Sequence, residues 1–392
     1  MRFHRVNKRI VLVFSAMVIM VVFMLPNMAT PLYATWQENI GFSSGIMTEI
    51  FAVYILGLIT SLLVVGKISE YLGHKIIITS GLVFALLSCI AYLCASSIAL
   101  LLVARVLTGF AVGTIVTAGI AVAVDLGGTT RINQSALLAS MAIVMGAGLG
   151  PLISGFMAQT MSRPVPIIYT LMLIMVFAGL CLVQSLPLRK KVKSFTSTHY
   201  GLWFVLKENR VHLICAVAVY APAVISSSFV AALTPSMFAH QLGVNSPLLT
   251  GASVAISFVS AALFQLLIRR FIIKSLLTGG TMLCILGLFM MAESVNLGSP
   301  YLLLASCIVS GGSMAFSQLG AVSLLAQEVI VSQRTEANSL FSLGSYIPAG
   351  IFSASSGFLI DALGLPLAID ILAGMVVFFT TLSLIYILRK CP

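Results

Sequence analysis

Residues 76–104, IIITSGLVFALLSCIAYLCASSIALLLVA, run from Lys75 to Arg105 without one charged side chain. A bilayer core about 30 Å thick takes roughly 20 residues of α-helix. The stretch therefore holds one complete span and the first turns of the next, with Arg105 inside that next span. The rest of the chain is built the same way. Of 392 residues, 60% are hydrophobic and 8% are charged, and the mean hydropathy is +1.13. A soluble domain carries about 25% charged residues, because its surface faces water. This composition excludes a soluble protein and predicts a polytopic membrane protein. The net charge of +11, which in a soluble chain would suggest nucleic acid, is here a matter of topology: basic residues collect in cytoplasmic loops.

Twelve apolar runs can be cut from the chain, near residues 10–32, 46–66, 75–95, 98–122, 134–157, 166–187, 210–233, 248–268, 275–296, 300–324, 336–360 and 366–388. Runs of this length are helices, since lipid leaves no other way to pair the backbone of a lone segment. A β-barrel would show alternating segments of about ten residues instead. The basic start MRFHRVNKR resembles a signal peptide, but the apolar run behind it is too long and nothing after it reads as a soluble mature protein. With the N-terminus in the cytoplasm, nineteen Lys and Arg fall on the inner side and only Arg163 on the outer side. Both termini are thus expected in the cytoplasm. The longest polar stretch, residues 187–210, follows the sixth span and reads as a charged tether on the inner leaflet.

Seven cysteines are scattered singly, with no CxxC and no Cys/His cluster. They predict neither a disulfide framework nor a metal site. No G-x-x-x-x-G-K-[ST] loop is present, so ATP is not expected to drive the protein directly. No nucleophile–base constellation stands out either, and neither an enzyme nor a cofactor is expected.

The two halves repeat. At an offset of 203, Gly109 meets Gly312, Asp125 meets Glu328, Arg131 meets Arg334 and Leu137 meets Leu340. The same offset lays the stripe Ala142, Gly146, Gly150, Ser154 over Ser345, Ala349, Ser353, Gly357. Spacing of four keeps each stripe on one helix face, where small residues allow close packing. Six spans, a basic linker and six more spans follow from this duplication.

Three motifs resemble the major facilitator superfamily. After the second span the chain reads Gly66-Lys-Ile-Ser-Glu70-Tyr-Leu-Gly73-His74-Lys75, similar to that family's loop signature G-x-L-[AS]-D-R-x-G-R-[KR]. The fourth span carries Arg105-Val-Leu-Thr-Gly109, similar to the family's R-x-x-x-G pattern. The fifth carries Gly146-Ala-Gly-Leu-Gly150-Pro151-Leu-Ile-Ser-Gly155, which resembles the pattern of its antiporters, mostly exporters. The loop signature departs from the family at Glu70, Tyr71 and His74. The resemblance implies an all-α fold of two six-helix bundles, residues 1–188 and 210–392, joined by linker 189–209. It further implies a monomeric carrier of small organic molecules that works by alternating access in the bilayer. A proton-coupled exporter of drugs or metabolites in a bacterial cytoplasmic (inner) membrane is the leading expectation. A nutrient importer of the same fold and a receptor that has lost transport are the alternatives.

Arg105 is the only basic residue well inside a predicted span. An Arg at a helix centre costs roughly 2.5–3.5 kcal/mol on insertion scales, so it faces a wet cavity, a paired group, or snorkels. The resemblance favours substrate binding or proton coupling. Asp125 and Glu328 end the fourth and tenth spans, while Arg131 and Arg334 precede the fifth and eleventh. Each charge sits at the unfavourable end of its helix dipole. They read as a cytoplasmic gate of ion pairs, joined by Glu70, or as solvated loop charges. Polar residues inside apolar spans are candidates for the lining of a substrate cavity: Asn27, Thr108, Tyr220, Gln265, Gln318, Asn338 and Tyr346. No acid lies deep in any span, which argues against a dedicated organic-cation pump.

Overall fold

The structure, a computed structural model, describes residues 8–127, 132–185, 207–238, 246–329 and 334–390. These residues form helices α1 (Lys8–Met28), α2 (Tyr33–Ile40), α3 (Ser44–Leu72), α4 (His74–Leu93), α5 (Ile98–Gly127), α6 (Ile132–Thr160) and α7 (Pro164–Ser185). The second half supplies α8 (Lys207–Ser236), α9 (Pro247–Ile268), α10 (Ile273–Asn296), α11 (Pro300–Glu328), α12 (Arg334–Leu363) and α13 (Leu365–Lys390). No strand occurs among the described residues. Twelve segments are long and apolar enough to cross a membrane, as the sequence predicts. The first combines α1 and α2, and α3–α13 are spans two to twelve.

The first span differs from the expected 10–32. It runs to Ile40 and is broken by a 3-10 turn at Thr30–Leu32. Pro31 explains the break: it has no N–H to donate, and its ring pushes Thr30 out of the α region. The apolar run ends at the break, and the helix resumes beyond it in the more polar YATWQENI, so composition marks the break as the end of the span.

The chain divides into two compact units, Met1–Leu32 with Val53–Ser197, and Tyr33–Ala52 with Thr198–Pro392. In each half the first span is the most buried and the sixth the least. The first and seventh spans have 72% of their apolar window buried, against 22% for the sixth and 28% for the twelfth. α1 and α8 are therefore the hearts of their units, and α7 and α13 present large apolar side chains such as Phe177 and Phe378 outward. Membrane helices have no hydrophobic drive toward one another, so close backbone approach must hold them together.

Short joints fix the helix order. Gly73 alone links α3 to α4 at φ +80°, a left-handed conformation that excludes a side chain without strain, which accounts for the second glycine of the loop signature. Cys89, Cys94, Cys181, Cys284 and Cys307 are free thiols, but Cys215 is disulfide-bonded, contrary to the reading of all seven as unpaired.

Candidate functional site

In the first unit the sequence-predicted residues converge on the break in the first span. The last carbonyls of α1 have no helical N–H to accept. Arg105 is fully buried, and its guanidinium donates to one of them, the Pro26 carbonyl. A cation at a helix C-terminus meets the negative end of the dipole. Arg105 is thus held by the broken end of α1.

Around it lies a polar cluster from α4 and α5. The Ser88 and Thr108 hydroxyls are 2.7 Å apart, and both reach the Ala104 carbonyl, at 3.0 and 2.8 Å. Tyr92 lies within reach of the Arg105 charge and the Thr108 hydroxyl, and stacks on Tyr169 of α7 with ring centroids 4.4 Å apart. Sequence reasoning found Arg105 and Thr108 but missed Ser88, Tyr92 and Tyr169. The only sequence signal was the spacing of Ser88 and Tyr92, four residues apart on one face of α4.

The next residue after Pro26 completes the arrangement. Pro151 in α6 has no N–H, so the Ala147 carbonyl one turn earlier loses its helical partner. The Asn27 side-chain amide donates to that carbonyl at 3.2 Å. On either side, glycines bring α6 onto the backbone of α1. A Cβ at Gly150 would meet the Met24 carbonyl at 2.5 Å, and one at Gly146 would strike the Met20 carbonyl. Gly155 is buried one turn further on. A second glycine seam joins α3 to α5, where a Cβ at Gly109 would lie 2.6 Å from the Leu58 nitrogen. The R-x-x-x-G and glycine–proline motifs are thus two parts of one packed node.

In the second unit the candidates fall into two separate places. Tyr220 stacks on Phe341 at 5.1 Å and lies within reach of half-buried Tyr346. Gln265 donates to Gln318 at 3.0 Å across α9 and α11, and Asn338 is exposed. Serines do the remaining work between helices: Ser257 donates to the Cys307 carbonyl at 2.9 Å, and Ser313 to the Gly280 carbonyl at 3.0 Å.

Of the proposed cytoplasmic gate, Glu328 lies 3.9 Å from His212 of α8 in its own unit. Lys75 of the loop signature donates to the Gln184 carbonyl at 2.7 Å in the last turn of α7, where a cation is favoured. Gly66, Glu70, Asp125 and Arg334 lie in helices α3, α3, α5 and α12, but their side chains are outside the described residues, as is the whole of Arg131. Among the described residues no group of three or more His, Cys, Asp or Glu could hold a metal ion.

Three comparisons with known proteins bear on this geometry. The family model of the Major Facilitator Superfamily matches residues 12–330. An uncharacterized MFS-type transporter of Methanocaldococcus jannaschii is 22% identical over 346 residues, covering 86% of this chain and 87% of that protein. Among solved structures, the nucleoside transporter NupG superposes with a TM-score of 0.74 at 14% identity, covering 98% of this chain and 100% of that one. A POT family transporter in complex with 5-aminolevulinic acid superposes with a TM-score of 0.79 at 13% identity, covering 97% and 96%.

Proposed function

The chain belongs to the major facilitator superfamily, which makes it a membrane transporter and not an enzyme, and from that premise we propose that it is a proton-coupled exporter of small organic molecules. The observation that most supports export is the seat of Gly146 and Gly150 on the carbonyls of α1 beside Pro151, because the glycine–proline pattern is the one that resembles antiporters. A helix with a missing hydrogen bond, whose orphan carbonyl is held by a neighbour's amide, is a place where bending costs little. Arg105 takes part in the cycle through the broken end of α1, which it holds. It stays charged throughout, so it moves no proton itself. Tyr220, Gln318 and Tyr346, with Asn27 and Thr108, supply polar groups for the substrate.

In this reading residues 1–188 and 210–392 are two bundles that rock in alternating access, as a monomer, in a bacterial cytoplasmic membrane with both termini inside. Glu70, Asp125, Arg131, Glu328 and Arg334 form the inner gate. The test compares cells with and without the gene. Deletion should raise the intracellular level of at least one metabolite, or sensitivity to at least one drug, and expression should reverse it. Nucleosides and short peptides belong in the panel, given the names of the solved relatives. If the gene instead raises accumulation of a nutrient supplied outside, the carrier is an importer.

A further inference from the structure

Of the seven cysteines, Cys89, Cys94, Cys181, Cys284 and Cys307 are free thiols, whereas Cys215 is disulfide-bonded. The one cysteine left in the chain to pair with it is Cys391, which follows the last residue of α13 and lies outside the described residues. Both belong to the second unit. Cys215 sits in one buried core with Val219 of α8, Leu277 of α10, Leu324 of α11 and Ile387 of α13. Ile387 precedes Cys391 by four residues, about one helical turn.

The bond joins the best-held span of the second half to the least-held one. α8 has 72% of its apolar window buried, and α13 only 28%. Beyond Thr380, Ile387 is the one buried residue of α13 among those described. The last turns of α13 thus hang on one side chain, and a covalent bond beside it fixes them.

The compartment decides what such a bond is for. On the proposed topology α8 starts and α13 ends at the cytoplasmic face, where thiols are kept reduced and disulfides are transient or redox-sensing. Arg389 and Lys390 directly precede Cys391. Their charge offsets the negative end of the α13 dipole and favours a thiolate at the next residue. Cys215 is fully buried, so a reagent has to act on the other sulfur first.

We propose that Cys391 and Cys215 are a redox clasp, closed by peroxide and reopened by small thiols, that ties the end of α13 to the first turns of α8. On closing, the Cys391 sulfur attacks hydrogen peroxide; the O–O bond breaks, leaving a sulfenic acid and one water. The Cys215 thiol then attacks the sulfenic sulfur, the S–S bond forms, the S–O bond breaks and a second water leaves. Two thiols lose two electrons and two protons, and the peroxide takes them all. Reopening is exchange with two small thiols, which leave as their own disulfide. The clasp rests on the inner-face placement in the functional reading, and not on export.

The test counts thiols on the full-length carrier in growing cells. It needs no substrate, so its outcome is separate from that of the export assay. Cells are quenched in acid, the protein is denatured, and a maleimide mass tag is added. Before treatment the carrier should take seven tags, one per cysteine. After hydrogen peroxide it should lose two of them and stay monomeric on a non-reducing gel, and dithiothreitol should restore all seven. Cys391→Ser and Cys215→Ser should each lose none to peroxide. Seven tags after peroxide overturn the clasp. So does a loss of two that survives in Cys391→Ser, or a disulfide-linked dimer, since either places the bond elsewhere. Two tags already missing before peroxide mark a permanent bond, as an oxidising compartment gives, and overturn it too.

Discussion

α6 and α12 hold equivalent places in the repeat, but they are built with different chemistry. The offset of 203 lays Gly146, Gly150 and Pro151 over Ala349, Ser353 and Ala354. In α6 two glycines admit the carbonyls of α1, and the proline frees a carbonyl that accepts from the Asn27 side-chain amide. In α12 a buried Ser353 hydroxyl, with no hydrogen-bond partner among the described residues, stands at the glycine position, and the proline stands at Pro348. The fourth and tenth spans diverge further. Arg105, two turns into one, corresponds to Ile308 in the other, which is 45% exposed. The first unit thus concentrates its polar chemistry in one buried node around a broken helix. The second distributes it over serine-to-carbonyl bonds between α9, α10 and α11. Duplication kept the apolar pattern that membrane insertion requires and left the polar contacts free to specialise.

The largest expected effect comes from removing the residue that has no counterpart. Arg105→Ala should abolish transport at normal expression, while leaving the α1 carbonyl end unpaired at a cost of about 1–3 kcal/mol. Arg105→Lys keeps the charge without the planar fork and should retain part of the activity. Ile308→Ala, its partner in the repeat, should transport at close to the original rate. Equal losses in Arg105→Ala and Ile308→Ala would erase the asymmetry between the units.

The stripe of small residues gives the next contrast. Gly150→Ala must displace the Met24 backbone, so it should destabilise by about 1–3 kcal/mol, whereas Ser353→Ala should be neutral or slightly stabilising because it removes an unpaired buried hydroxyl. Thermal unfolding in detergent separates the two. A similar pair sharpens the fourth and tenth spans. Gly109 faces the backbone of α3, while Gly312 faces the Phe264 ring, 3.0 Å from the position a Cβ would take. A ring can shift and a backbone carbonyl cannot, so Gly109→Ala should cost about 1 kcal/mol more than Gly312→Ala.

The smallest effect is also the most specific. Asn27→Ala should cost about 1 kcal/mol, because it orphans the Ala147 carbonyl. In a Pro151→Ala background that carbonyl regains its helical N–H, and the same change should cost almost nothing. Additive losses across this double-mutant cycle would show that Asn27 is unrelated to the proline.

The architecture was legible because insertion physics writes it in one dimension: apolar length gives spans. The motifs around Arg105 and Gly150 were legible because close packing needs small residues at helical spacing. The break at Thr30–Leu32 was not, since the apolar run ends there and nothing in α2, with Gln37, Glu38 and Asn39, marks the helix as resuming. Ser88, Tyr92 and Tyr169 were hidden for another reason. Each is a single polar residue in an apolar helix, and nothing in one dimension says that α4 and α7 bring them to Arg105.

Proton-coupled export is tested most directly in proteoliposomes that hold a pH-sensitive dye in their lumen. The compound added outside is the one that accumulates in cells lacking the gene. As the compound moves down its gradient into the lumen, antiport carries protons out, so that the luminal pH should rise only when carrier and compound are both present. Arg105→Ala should abolish that rise. A luminal pH that falls together with entry of the compound would identify a symporter, and compound movement with no pH change at all would show that protons are not coupled; either result rules out proton-coupled export.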